Sequence, residues 1–142
     1  MIEKRALQVV VAIACLLPFI VGGQGVLQGP APFGHLTELP RDLDSHFRYI
    51  SGIFFATGLG FASCIPNIEA KGARFRLLGL LIFVGGLARA VSLIAVGVPS
   101  TGHVLGLGME TIVVPLLMLW QWRIARSYRE ASSPGPASAV VR

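Results

Sequence analysis

Four stretches of this chain are each about 20 residues long and almost entirely apolar, and they limit the possible folds more than any other feature. A helix needs ~20 apolar residues to cross the ~30 Å hydrocarbon core of a bilayer. That core offers no water to backbone groups, so a crossing segment must satisfy them internally, as a helix does. The stretches are residues 6–27, 47–66, 75–97 and 103–122. They predict an all-α, four-helix transmembrane bundle that forms a single membrane domain over residues 1–126.

The composition agrees with a membrane protein. Of the 142 residues, 54% are hydrophobic and 13% are charged, whereas soluble domains average about 25% charged. This balance excludes a soluble domain and, because disordered chains are poor in apolar residues, a disordered one. Segment 127–142, rich in Ser, Pro and Ala, is expected to be a disordered cytoplasmic tail. Lys4 and Arg5 also fit the start of a signal peptide, but the apolar run continues past the weak cleavage site at 21–23, which favours a span.

The net charge of +5 is better explained by topology than by nucleic-acid binding, because the basic residues lie between the apolar stretches. Of the Lys and Arg residues, only Arg41 lies in the connection between the first and second stretches, and none lies between the third and fourth. Arg48 lies at the edge of the second stretch. The positive-inside rule therefore places both termini on the cytoplasmic side of the membrane, with Trp120 and Trp122 at the cytoplasmic interface. The residues assigned to the cytoplasmic side are Lys4, Arg5, Lys71, Arg74, Arg76, Arg123, Arg126, Arg129 and Arg142.

Small residues recur at helical spacing within the stretches. Lipid is as apolar as leucine, so helices associate in a membrane where small residues let their backbones approach. We expect these positions to pack the helices within one bundle, with a homo-oligomer as the other interpretation. Pro18 and Pro115 are expected to kink the first and fourth helices. The candidate packing residues are Gly52, Ala56, Gly60, Gly85, Gly86, Gly102 and Gly106.

Two ionisable residues, Arg89 and Glu110, lie well inside the apolar stretches, where a charge costs ~2.5–3.5 kcal/mol. Each is about ten residues from the turn that joins the third and fourth stretches, so both should lie at the same depth, roughly 10–12 Å below the outer boundary. We expect them to form a buried pair. Further candidates are Arg48 and His103 as partners of Glu110, and Ser92, one turn from Arg89.

Three interpretations of this cluster remain open. The first is an interhelical ion pair that organises the outer half of the bundle. The second is a site for an anionic lipid or small amphiphile, which the surplus positive charge would attract. The third is a proton relay through Glu110 in a small proton- or ion-coupled transporter. A carboxylate held by arginine resists protonation, which weighs against the relay. The sequence contains no catalytic constellation, so we expect no enzyme and no cofactor. Cys15 and Cys64 lie in apolar stretches without C-x-x-C spacing, so no metal site is expected.

Several short motifs resemble an uncharacterised family of small four-span bacterial inner-membrane proteins, known only as a domain of unknown function. The resemblance extends from the first stretch to Trp122 and implies a multi-pass protein without an assigned activity. Arg48, Arg89 and Glu110 all fall on motif positions. The matching elements are Phe47-Arg48, Pro66, Ile68-Glu69, Phe75-Arg76, Gly85-Gly86, Arg89, Ser92, Gly97-x-Pro99, Glu110, Pro115 and Trp120-Gln121.

Overall fold

Four long helices form the part of the chain that the computed structural model describes, residues 2–31 and 38–132. They run over Ile2–Gln28, Arg41–Asn67, Gly72–Val96 and Thr101–Ser132, and each is long and apolar enough to cross a membrane. No strand occurs among the described residues. The predicted all-α fold with four membrane-spanning helices is therefore confirmed.

Two of the four helices are interrupted by a π-helical turn near a proline. In the first helix, α1 (Ile2–Leu17) passes through π-helical Pro18–Gly22 into α2 (Gly23–Gln28). In the fourth, α5 (Thr101–Gly108) passes through π-helical Met109–Val113 into α6 (Val114–Ser132). Proline lacks a backbone N–H and removes one bond from the helical ladder. The predicted disturbances at Pro18 and Pro115 thus take the form of widened turns.

The second and third helices are continuous along their apolar stretches. The second consists of α3 (Arg41–Cys64) and a 3₁₀ turn (Ile65–Asn67), and the third is α4 (Gly72–Val96). The helix α3 begins at Arg41, earlier than residue 47, because hydropathy does not detect a polar helical extension. Gly97 has φ +113° and ends α4 in a conformation that favours glycine.

The last helix also extends further than its apolar stretch. The prediction of a disordered tail from residue 127 is wrong at its start, because α6 continues to Ser132. Arg126 Nε donates to Glu130 Oε1 at 2.7 Å, one helical turn away, and the Ser127 hydroxyl donates to the Arg123 carbonyl. These i,i+4 interactions support a polar helical turn. Residues 133–142 lie outside the described part of the chain.

The chain divides into two compact units, Arg5–Pro66 and Met1–Lys4 together with Asn67–Arg142. We call them the N-terminal unit and the C-terminal unit. In the N-terminal unit the first helix lies directly against α3. A Cβ on Gly22 would lie 2.9 Å from the Phe55 backbone nitrogen, and a Cβ on Gly58 would lie 2.8 Å from Pro18 Cγ. These glycines permit close approach of the helices.

In the C-terminal unit, α4 lies against the fourth helix through Gly79 and Gly86. A Cβ on Gly79 would overlap the Met118 side chain, and one on Gly86 would lie 2.8 Å from Glu110 Cβ. Beyond these contacts, side chains at the end of the unit that contains the 67–72 connection are buried. They are Ile68, Phe75, Gln121, Ile124 and Ala125.

Most of the predicted packing residues do not make these close approaches. Ala56 is exposed, and a Cβ on Gly52 would make only an ordinary contact, 3.8 Å from Val26 Cγ2. Gly60 accepts bonds from Ser63 and Cys64 at its carbonyl. A four-residue repeat identifies one face of a helix, but it does not show whether that face meets a neighbouring helix. Among the predicted packing residues, Gly86 is the one at which an added Cβ would come closer than 3.0 Å to described atoms of another helix. Three others have no atom of another part of the described chain within 4 Å of an added Cβ: Gly85, Gly102 and Gly106.

Candidate functional site

Arg89 and Glu110 form an ion pair between the third and fourth helices. Arg89 Nε donates to Glu110 Oε2 at 3.0 Å, and Arg89 Nη2 donates to Glu110 Oε1 at 3.1 Å. The two bonds are parallel, which is the strongest geometry for a guanidinium and a carboxylate. Sequence reasoning placed the two residues at one depth from the turn between them, and the structure brings their side chains together.

The pair is only partly buried. The Arg89 side chain is 35% exposed and the Glu110 side chain is 15% exposed, so the expectation of a buried pair is wrong. The physical reason is that the pair lies between two neighbouring helices that cover it incompletely.

The local backbone around Glu110 explains how the carboxylate reaches Arg89. Glu110 lies in the π-helical turn Met109–Val113, shortly before Pro115. The Thr111 hydroxyl donates to the Leu107 carbonyl at 2.6 Å, which satisfies a backbone acceptor in the distorted turn. Gly86 has no side chain between the two helices, and the Glu110 stem lies against it. The pair therefore depends on a glycine in α4 and a widened turn in the fourth helix.

Arg48 is bonded within the N-terminal unit. Its Nε donates to Asp44 Oδ2 at 2.8 Å, and its Nη1 donates to the carbonyls of Val26 and Leu27 at 2.7 and 3.2 Å. Asp44 lies in the first turn of α3 and forms an ion pair with Arg48. The charge of Arg48 is therefore balanced by Asp44, and the surplus of positive charge expected beside Glu110 is not supported.

The other two candidates do not bond to the pair. The ring nitrogen Nδ1 of His103 is 3.0 Å from the Ser100 hydroxyl, at the start of α5. Ser92 is exposed on α4, and the two hydrogen bonds described for Arg89 both go to Glu110. The cluster of five predicted residues is thus reduced to one neutral pair.

A second polar cluster, which sequence reasoning did not single out, lies at the other end of the C-terminal unit. Lys4 Nζ donates to Glu69 Oε1 at 2.8 Å and lies 5.4 Å from the centre of the Tyr128 ring. Gln121 is fully buried and its Nε2 donates to the Ile68 carbonyl at 2.8 Å. Sequence analysis named Ile68-Glu69 and Trp120-Gln121 only as elements of the family resemblance and predicted no contact between them.

The Glu69 carboxyl has a lowered pKa. Its burial favours the neutral form, but the hydrogen bond from Lys4, a bond from its own backbone N–H and the charge of Lys4 outweigh burial and lower the pKa. Glu69 is therefore held as a carboxylate by Lys4. In the part of the chain that the structure describes, no three His, Cys, Asp or Glu side chains come together in a group that could hold a metal ion.

The four helices, each long and apolar enough to cross a membrane, define a multi-pass membrane protein. The chain belongs to the family described as a domain of unknown function, DUF4345, whose model matches residues 6–121. This confirms the resemblance to an uncharacterised family. No curated protein and no solved structure matches the chain.

Proposed function

We propose that this chain is a non-enzymatic, multi-pass protein of the bacterial inner membrane in which the Arg89–Glu110 pair sets the register of the third and fourth helices and borders a site for a small amphiphile. Both termini are proposed to lie in the cytoplasm, on the distribution of Lys and Arg. The pair then belongs to the outer half of the bundle. The observation that carries the proposal is the two-bond pair between helices that are apolar enough to cross a membrane.

The register role follows from the geometry of the two bonds. A shift of one residue moves a side chain about 1.5 Å along a helix and rotates it by about 100°. Either change separates two parallel hydrogen bonds that require both partners to lie in one plane. The pair therefore favours one relative position of α4 and the π-helical turn over its neighbours.

The amphiphile site is supported by the hydrogen-bonding capacity that Arg89 retains. A guanidinium has five N–H donors, and the bonds to Glu110 use Nε and Nη2. Nη1 remains for an oxygen of a bound molecule, and 35% of the side chain is exposed. Because the pair is neutral, it selects a molecule by hydrogen bonding, such as the headgroup oxygens of a lipid.

The register proposal is tested by Glu110→Gln in purified full-length protein. The change leaves the Arg89 charge without its counter-charge and is expected to lower the free energy of unfolding by about 1–3 kcal/mol. The measurement is thermal melting in detergent. The double variant Arg89→Leu with Glu110→Leu should recover most of the loss, because it removes both charges.

The matched control is Glu130→Gln, which breaks the exposed pair with Arg126 in the same helix. An exposed pair contributes little, so a change below about 0.5 kcal/mol is expected. Equal melting temperatures for the Glu110 and Glu130 variants would contradict the register role. For the amphiphile site, a purified protein that carries no co-extracted amphiphile, measured by mass spectrometry of its lipid extract, would contradict it.

A small proton- or ion-coupled transporter is the second candidate function, because Glu110 lies in a π-helical turn, a distortion that is frequent at functional sites. The experiment is flux of protons, sodium or potassium into liposomes that contain the purified protein. Flux that is lost in Glu110→Gln would support this function, and wild-type protein that moves none of the three ions would exclude them as its cargo.

A further inference from the structure

An apolar groove runs between α4 and α6 in the C-terminal unit and has a volume of about 580 Å³. The α4 wall consists of residues four and three positions apart, which lie on one face of a helix. The α6 wall has the same spacing. The lining residues are Arg76, Leu80 and Phe83 from α4 and Pro115, Met118, Leu119 and Trp122 from α6.

The groove exists because the two helices meet closely along its floor. Met118 occupies the space where a Cβ on Gly79 would lie, so α6 approaches the α4 backbone at that point. On either side of this contact, Leu80 and Leu119 remain 52% and 59% exposed and form the walls. In a spanning helix such walls face hydrocarbon, which favours an acyl chain as the occupant.

One end of the groove is cationic. Arg76 is exposed there and makes no ion pair with any residue that the structure describes. Trp122 lines the groove, and the Arg126 guanidinium carbon lies 5.7 Å from the centre of its ring. An indole ring is favoured at the membrane–water interface. Among the described residues, no acidic side chain lines the groove, so this end complements an anionic headgroup.

The length of the groove suits a lipid whose headgroup lies at the membrane–water interface. Arg76 and Phe83 are separated by about 10 Å along α4, roughly a third of the hydrocarbon core. The groove therefore covers the part of an acyl chain nearest its headgroup. Arg89 is about 20 Å further along the same helix than Arg76, so the groove and the Arg89–Glu110 pair are separate sites.

We propose that this groove binds an acyl chain of an anionic glycerophospholipid, with its phosphate bound by the Arg76 guanidinium. Arginine binds phosphate through two parallel N–H donors, and the pairing of Arg126 with Glu130 leaves Arg76 as the principal cation. The lipid belongs to the leaflet at the 67–72 connection, which is the cytoplasmic leaflet if the positive-inside rule holds for this chain.

The experiment is native mass spectrometry of the full-length protein, released from detergent that contains equal amounts of phosphatidylglycerol and phosphatidylcholine. Wild-type protein should retain phosphatidylglycerol preferentially. Arg76→Gln should lower the ratio of the two bound lipids about fivefold, the effect of one basic residue at an anionic membrane surface. Leu80→Trp fills the groove from an exposed position and should lower retention of both lipids.

Arg129→Gln is the matched control, because it removes one exposed cation from α6 outside the groove. It should leave the lipid ratio unchanged. Equal retention of the two lipids by wild-type protein, or equal losses in the Arg76 and Arg129 variants, would overturn the proposal. The proposal would also be overturned if the wild-type protein formed a dimer without bound lipid and Leu80→Trp dissociated that dimer. A second copy of the chain would then occupy the groove. The double variant Arg89→Leu with Glu110→Leu removes the pair without leaving a charge and should not alter the ratio, so this test is independent of that of the Arg89–Glu110 pair.

Discussion

The two units join their helices by different means. In the N-terminal unit, a Cβ on Gly22 would meet backbone atoms, at 2.9 Å from the Phe55 nitrogen and 3.0 Å from the Ser51 carbonyl oxygen. In the C-terminal unit, a Cβ on Gly79 would overlap the flexible Met118 side chain. Backbone atoms in a helix cannot move without disturbing its hydrogen bonds, whereas side chains can change rotamer. The first contact is therefore rigid, and the second is adjustable.

The polar contacts of the two units differ in a similar way. In the N-terminal unit, Arg48 donates hydrogen bonds to the Asp44 side chain and to the backbone carbonyls of Val26 and Leu27 at the end of α2. In the C-terminal unit, Arg89 and Glu110 join two helices by side chains alone. Such a pair tolerates only movements of the helices that are smaller than the one-residue shift of about 1.5 Å that would separate its two bonds. The C-terminal unit, which also contains the groove, is thus the part of the molecule suited to adapt to a ligand.

The largest effect is expected from Gly22→Ala, which places a methyl group against the α3 backbone. We expect the free energy of unfolding to fall by about 2–3 kcal/mol, because neither backbone can give way. The measurement is thermal melting in detergent. Gly23→Ala is the adjacent control, since its Cβ would meet only the Phe55 ring at 3.9 Å. If both alanine variants melt at the same temperature, the rigid backbone contact is not present.

A smaller loss is expected from Gly79→Ala, about 1 kcal/mol. The new methyl group would overlap the Met118 side chain, whose flexible thioether end can change rotamer. Gly85→Ala meets no described atom within 4 Å and should raise stability slightly through its helix propensity. A Gly79→Ala loss as large as that of Gly22→Ala in the same melting experiment would remove the distinction between rigid and adjustable contacts.

The smallest effect concerns pH and the Lys4–Glu69 pair. The pKa of Glu69 is lowered from the reference value of 4.5 in the folded protein, so the pair stabilises the fold above that value and is lost as pH falls through the folded pKa. Melting of wild-type protein between about pH 6 and about pH 3 should therefore decline more than that of Glu69→Gln, by less than about 1 kcal/mol. Parallel declines in the two proteins would show that Lys4 does not hold Glu69 as a carboxylate.

The sequence was sufficient for the number and approximate limits of the helices, because an apolar run of spanning length has few alternatives. The contact between Arg89 and Glu110 was also predictable, since a tight turn fixes the depth of residues on either side of it. The start of the second helix at Arg41 was not predictable from hydropathy, which is silent on polar helical turns.

The packing glycines were predicted poorly for a different reason. Gly22 and Gly58 meet neighbours closely, yet neither is among the small residues that were singled out from the sequence. Which glycine is needed depends on the path of the neighbouring helix, and that path is a property of the whole fold. The groove at Arg76 escaped notice for the same reason, because its two walls come from α4 and α6.

The hydrogen bonds from Arg48 to the Val26 and Leu27 carbonyls have a consequence for biogenesis. The last carbonyls of an isolated first helix have no partner within that helix. They acquire Arg48 as a donor only when α3 has been synthesised and has come alongside. The first two helices therefore complete these hydrogen bonds only as a helical hairpin. The C-terminal carbonyls of the first transmembrane helix gain Arg48 as a donor only after the second helix has entered the membrane.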